Sequence, residues 1–144
     1  MPIHADPLFW REDELDLTVA RHLIASLAGV PMVSMDLPAL SRAHKAIVRH
    51  YFGFYRDHRE TFAHGHWHVR FTGSLPSYLT ATRGDERIII LVDANALSDA
   101  KGDFGGAIHV LHLGAKPVEA REVYGLDGKR LPGTTVPCGG RGVL

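Results

Sequence analysis

The residue types best suited to chemistry are histidines near the middle of the chain. His64, His66 and His68 alternate with Gly65 and Trp67. Alternate residues of a β-strand share a face, so His66 and His68 would present two imidazoles to one metal ion. The alternative is that these are surface histidines, with His64 at a helix C-terminus, where a positive charge is favourable. No carboxylate or further histidine follows His68 within a few residues, so this ligand set is incomplete.

A second group of polar and aromatic residues lies nearer the N-terminus and consists of His4, Asp6, Trp10 and Asp36. If the segments that carry them end at the same edge of a β/α barrel, all four side chains approach the face where such barrels build their sites. A tryptophan beside carboxylates and an imidazole is suited to sugar binding, because the ring stacks on the sugar and the acids accept its hydroxyl protons. The alternative is that both aspartates only cap loops and helices.

The first 65 residues predict a helix, a strand and a second helix. Apolar residues recur every three or four positions over residues 12–28, and Gly29 and Pro31 end that pattern. Residues 30–37 are mostly apolar between two prolines, which predicts a strand buried on both faces. Ser41 is a suitable cap for a longer helix that runs to about residue 63. This order is typical of alternating α/β architecture.

From His66 onward the hydrophobic period becomes two, which predicts strands. The run at 87–92 is the strongest strand pattern, and Asp127-Gly128 is a typical hairpin turn. Residues 99–106 contain three glycines and predict a loop. Short strands between glycine turns indicate an antiparallel β-sandwich. The predicted strands are 66–71, 78–82, 87–92, 107–113, 118–124 and a last one within 136–144.

The composition excludes several classes of function. The 144 residues include 16 basic and 16 acidic side chains, so nothing global favours a nucleic acid or a membrane surface as partner. Cys138 is the single cysteine, which excludes an intrachain disulfide and a thiolate metal cluster. There is no signal-peptide pattern and no apolar stretch near the ~20 residues of a membrane span. We therefore expect a cytoplasmic protein without a cofactor.

Three segments together resemble the last part of the α-galactosidase (melibiase) type of glycoside hydrolase barrel. They are His4-Ala5-Asp6-Pro7, the run A-R-H-L-I-A-S-L-A-G-V-P-M-V-S-M-D-L-P-A-L, and the helix A-I-V-R-H-Y-F-G-F-Y-R-D-H-R-E-T-F-A-H-G with its Tyr55 to Arg59 pattern. The segment Val136-Pro137-Cys138-Gly139-Gly140 is similar to the closing part of that family's C-terminal sandwich.

The resemblance implies retaining hydrolysis of α-linked sugars by two aspartates about 5 Å apart. In that family both lie on earlier barrel strands, so no catalytic residue is assigned to this chain. A whole barrel takes ~250 residues, and the chain therefore resembles a C-terminal fragment or a truncated homologue.

The sequence thus predicts an α+β protein. Residues 1–65 would be the closing β/α units of an incomplete barrel, and residues 66–144 an antiparallel β-sandwich. We expect no glycosidase activity from this chain alone, with an α-glycoside as partner only where a barrel is completed. Oligomerisation, or docking to a missing N-terminal barrel portion, would cover the incomplete faces. The alternatives are a non-catalytic module that binds a metal or a glycan through its histidines, and a structural subunit.

Overall fold

The computed structural model describes residues 6–144, so His4 lies outside the described part of the chain. Helix α1, Asp16–Ser26, buries one face through Val19, Leu23 and Ile24. It is shorter than the predicted helix over 12–28, because residues 12–15 form a turn and a short extended link before it. The helix itself is confirmed, and so is the apolar stripe that faces the core.

The second predicted helix is confirmed but is divided in two. Helix α2, Arg42–Asp57, begins after Ser41, whose hydroxyl accepts the backbone N–H of His44 at 3.1 Å. That bond satisfies one of the free donors at the helix N-terminus. At His58 the backbone leaves the helical region (φ −112°, ψ 19°), and helix α3, Arg59–His64, follows. The break turns the His58 side chain towards the sheet.

Residues 30–37 do not form the predicted buried strand. Val33 pairs in parallel with Leu8 at one isolated bridge, and Leu37–Ala39 is a single 3₁₀ turn. Met32 is 41% exposed, and Asp36 is exposed as well. The apolar run predicted burial on both faces, but only part of it, including Val33 and Met35, packs against the core.

The rest of the chain forms one large sheet. Seven strands lie in the order β1-β2-β3-β4-β9-β6-β7, and β5 pairs with β8 in a separate two-stranded ribbon. The α+β class and the mostly antiparallel pairing are therefore confirmed, while the second layer of the predicted sandwich is reduced to that ribbon. The strands are β1 His66–Thr72, β2 Leu75–Arg83, β3 Glu86–Leu91, β4 Ala107–His112, β5 Val118–Glu119, β6 Glu122–Tyr124, β7 Arg130–Leu131, β8 Thr135–Val136 and β9 Arg141–Val143.

The pairing of β3 with β4 is parallel, which requires the chain to cross over between them. The crossing contains a 3₁₀ turn, Ala94–Ala96, and the short helix α4, Leu97–Lys101. The start of the predicted loop at 99–106 is therefore helical. No other pair of strands among the described residues is parallel.

Both faces of the sheet are covered by apolar packing, with different partners. Ile88, Ile90 and Leu111 face α1, α2 and α3 in one cluster of buried side chains. The side chains between them in sequence, such as Ile89 and Val110, face α4 and the β5–β8 ribbon in a second cluster. Across residues 6–144, no helix has the length and apolar content needed to cross a membrane.

Candidate functional site

The structure does not bring the predicted sugar-binding residues Asp6, Trp10 and Asp36 together around one site. Leu8 lies opposite Val33, so Asp6 precedes the paired position and Asp36 follows it. The two aspartates therefore lie towards opposite ends of the bridged segments. Both side chains are exposed. Asp36 and Trp10 lie towards the same end of the pair, and Asp6 towards the other.

Trp10 is a core residue in this structure, with 7% of its surface exposed. Its indole Nε1–H donates to Nδ1 of His44 at 3.2 Å, and Nε2 of His44 lies 3.0 Å from the Glu14 carbonyl oxygen. These two bonds fit one tautomer, in which Nε2 carries the proton and donates to Glu14. The Trp10 ring faces are packed in the core and offer no open platform to a sugar.

His66 and His68 lie on the α4 side of β1 and line an open groove of about 370 Å³. Polar neighbours in the groove are already bonded to each other. The hydroxyl of Tyr78 donates to Asp99 at 2.9 Å, and Arg87 donates to the Lys101 carbonyl at 2.9 Å. In the described part of the chain, neither histidine belongs to a set of three ligand atoms that converge within 4.8 Å.

Three other residues do converge, on the opposite face of the sheet. His58 lies at the break between α2 and α3, Glu86 is the first residue of β3, and His109 is on β4. Nδ1 of His58 is 2.7 Å from Oε1 of Glu86, and Nε2 of His109 is 3.7 Å from the same oxygen. The hydroxyl of Thr61, on α3, donates to Oε2 of Glu86. We call His58, Glu86 and His109 the His–Glu cluster.

The parallel register of β3 and β4 is what brings the cluster together. His109 is directly opposite Ile88, two residues after Glu86, so both polar side chains point to the helix side. The sequence pattern did not predict this set, because its members are 28 and 23 residues apart. Two features of the sequence could have indicated the site. Glu86 lies at the start of the strongest strand, and His109 lies on the opposite face of its strand from Ile108 and Val110.

The cluster is half-buried. The exposed fractions of the side chains are 19% for His58, 24% for Glu86 and 16% for His109. Burial and the nearby His58 together lower the pKa of His109 to about 4, with Glu86 partly opposing this. At neutral pH the His109 ring is therefore uncharged, and its 3.7 Å approach to Glu86 is no ion pair.

The charge on Glu86 is stabilised by its neighbours. Burial by itself raises the pKa of this carboxyl group, but hydrogen bonds from Thr61 and His58 and the two nearby imidazoles outweigh that effect. The net result is a pKa below the usual value. The cluster at neutral pH thus holds one carboxylate and at least one neutral imidazole.

Aromatic rings and an arginine enclose one side of the cluster. The Phe54 ring centroid is 4.3 Å from that of His58 and 5.6 Å from that of His109. The guanidinium of Arg141 lies 3.9 Å from the Tyr124 ring centroid and 5.2 Å from that of Phe54. Both distances are typical of cation–π contacts. This wall limits solvent to the remaining side of the cluster.

No family model, curated protein or solved structure matches the chain.

Proposed function

We propose that this chain is the non-catalytic C-terminal module of a glycoside hydrolase of the α-galactosidase type, which acts on α-linked sugars. The observation that carries the proposal is the parallel pairing of two segments that are each followed by a helix. The Leu8 N–H donates to the Met32 carbonyl at 2.8 Å, and the Ser34 N–H donates to the Leu8 carbonyl at 2.8 Å. This is the connectivity of a β/α barrel unit.

A parallel pair of this length is not a stable sheet by itself. Parallel strands occur almost only in sheets of several strands with both faces covered, and two-stranded sheets are marginal in water. The pair therefore fits best as part of a wider sheet. The segments that resemble the α-galactosidase family include Val33 and end just before Leu8, and this resemblance supplies the class of enzyme in the proposal.

Several exposed apolar side chains lie in the N-terminal part of the chain that contains this pair. Phe9 is 77% exposed, and Leu15, Leu17, Met32 and Leu37 are between 40% and 70% exposed. A second exposed set, Val69, Phe71 and Leu75, lies on β1 and β2. A concentration of exposed apolar side chains typically marks a surface that is covered in the functional assembly. In the proposal, further β/α units of the barrel cover it.

Asp6 and Asp36 are poorly placed for a catalytic pair. Retaining enzymes place their carboxyl groups about 5–5.5 Å apart and inverting enzymes about 6.5–9.5 Å, whereas Asp6 and Asp36 lie towards opposite ends of the Leu8–Val33 bridge. The module would instead support a site whose acids lie on other barrel strands. We expect Asp36 to lie near the rim of that site.

Two measurements test the proposal. The purified 144-residue protein should not hydrolyse an aryl α-galactoside, and it should self-associate in light scattering through its uncovered surface. Phe9→Ser with Leu15→Gln should reduce the association, whereas Phe71→Ser, a matched change on the exposed strand β1, should not. Turnover that Asp36→Asn or Asp6→Asn abolishes would refute the proposal. A monomeric unaltered protein, or association that the paired change does not reduce, would refute it as well.

A further inference from the structure

We infer that the His–Glu cluster is a binding site for a divalent transition-metal ion such as Zn²⁺, with His58, Glu86 and His109 as its three protein ligands. Two imidazoles and one carboxylate are a ligand set that Zn²⁺ accepts. The site is separate from the exposed apolar side chains around the Leu8–Val33 bridge, since it lies between the α2–α3 junction and the start of β3. The inference does not depend on the proposed function.

The distances in the cluster are close to those between the ligand atoms of a bound metal ion. Ligand bonds of about 2.1 Å at tetrahedral angles place neighbouring ligand atoms about 3.4 Å apart. In the cluster, the two histidine nitrogens are 2.7 and 3.7 Å from Oε1 of Glu86, and all three ligand atoms lie within 4.8 Å of one another. Shifts of less than about 1 Å would give metal-ligand spacing. His58 would then carry its proton on Nε2, so that the Nδ1 lone pair is free to bind the ion.

His109 cannot satisfy both of its ring nitrogens in any neutral tautomer. Its Nδ1 is buried and has no hydrogen-bond partner among residues 6–144. If Nδ1 carries the proton, the Nε2 lone pair faces the Glu86 carboxylate at 3.7 Å, which is repulsive. If Nε2 carries it, the Nδ1 lone pair is buried without a donor. A cation between Nε2 and Oε1 removes the repulsion in the first case.

The remaining neighbours decide how strongly the ion is held. Thr61 fixes the second carboxylate oxygen through its hydroxyl, which orients Glu86 as metal-site carboxylates usually are. The positive charge of Arg141 opposes a cation, but that side chain is stacked between Phe54 and Tyr124, and Glu122 adds a nearby negative charge. The exposed fractions of 16–24% leave room for water as a fourth ligand.

The test is a titration of the purified chain with Zn²⁺ and with Co²⁺, whose visible absorption reports coordination geometry. Metal content after desalting should be one ion per chain. His109→Ala and Glu86→Gln should each abolish binding, and Thr61→Val should weaken it by about 10-fold or more. Far-UV circular dichroism establishes that each variant is folded. If His109→Ala does not fold, Glu86→Gln, which keeps the shape of the side chain, carries the test.

The matched control removes the other pair of histidines. His66→Ala with His68→Ala deletes two imidazoles from β1 and should leave the stoichiometry and the affinity unchanged. Absence of bound metal in the unaltered protein would overturn the inference. Metal that persists in folded His109→Ala and Glu86→Gln, or that is lost only in the His66/His68 variant, would overturn it as well.

Discussion

Three histidines with lowered pKa values, His50, His109 and the fully buried His112, make the folded chain sensitive to acid. Burial and the nearby Arg141 together lower the pKa of His50 to about 4, with Asp127 partly opposing this. Burial also lowers the pKa of His109 to about 4. The unfolded chain takes up a proton at each of these positions near pH 6.5. Between the two values, protonation therefore favours the unfolded state.

We predict that the free energy of unfolding is constant above about pH 7 and falls as the pH is lowered from 6.5 towards 4. Each pKa unit corresponds to about 1.4 kcal/mol, and screening at these partly exposed groups reduces this, so we expect about 1–2 kcal/mol from each histidine. Urea unfolding at a series of pH values measures it. Glu86, whose pKa is also lowered, adds a further loss at lower pH.

A substitution separates the contribution of one histidine. His109→Gln should remove part of the fall between pH 6.5 and 5, because glutamine does not titrate, whereas His50 and His112 still do. An unfolding free energy that is flat over this range in the unaltered protein would contradict the lowered pKa values.

At the scale of elements, the turn between β6 and β7 packs against α2. Gly128 has φ +81°, and a Cβ atom at this position would lie 2.3 Å from Nδ1 of His50. Gly133 has φ +85° with nothing within 4 Å of the corresponding Cβ position. The two glycines share the same backbone conformation and differ only in their surroundings, so they form a matched pair.

We predict that Gly133→Ala destabilises the chain by about 1–2 kcal/mol, the usual cost of a side chain in the left-handed region. Gly128→Ala should cost about 1–3 kcal/mol more, because His50 must move to avoid overpacking. Urea unfolding curves of the two variants measure the difference. Equal losses would show that α2 adjusts without strain.

The elements that the sequence predicted well are those with a strong local pattern. Ser41 as a cap, the strand over 87–92 and the Asp127-Gly128 turn are all confirmed. Residues 30–37 were mispredicted as a buried strand, because apolar content alone does not show what covers each face. The candidate metal site escaped prediction for a related reason. Glu86 and His109 meet only through a parallel register that no local pattern contains.

At the scale of the molecule, the core crosses the predicted boundary between residues 65 and 66. Trp10 and the helices share one buried cluster with Ile88, Ile90 and Leu111 of the sheet. The hydroxyl of Tyr51 on α2 donates to the buried carbonyl of Gly139, just before β9. The two predicted segments are therefore expected to unfold together.

The two tryptophans report on this directly, because Trp10 lies before the boundary and Trp67 after it. In Trp67→Phe, fluorescence follows Trp10, and in Trp10→Phe it follows Trp67. We predict that the thermal midpoint from fluorescence coincides with that from far-UV circular dichroism in each variant, as a two-state transition requires. A Trp10 signal lost well before the circular dichroism signal would indicate two independent units.

The position of β9 has a consequence for the order in which the protein is made. Arg141–Val143 is synthesised after every other strand of its sheet, yet it lies inside that sheet between β4 and β6. Until it leaves the ribosome, both neighbours present unpaired backbone groups towards the middle of the sheet, and β6 and β7 have no strand to join. The nascent chain thus carries two temporary edges, the kind that pair with other chains. The nascent chain is therefore most exposed to aggregation in the interval before β9 leaves the ribosome, when a bound chaperone would protect these two edges.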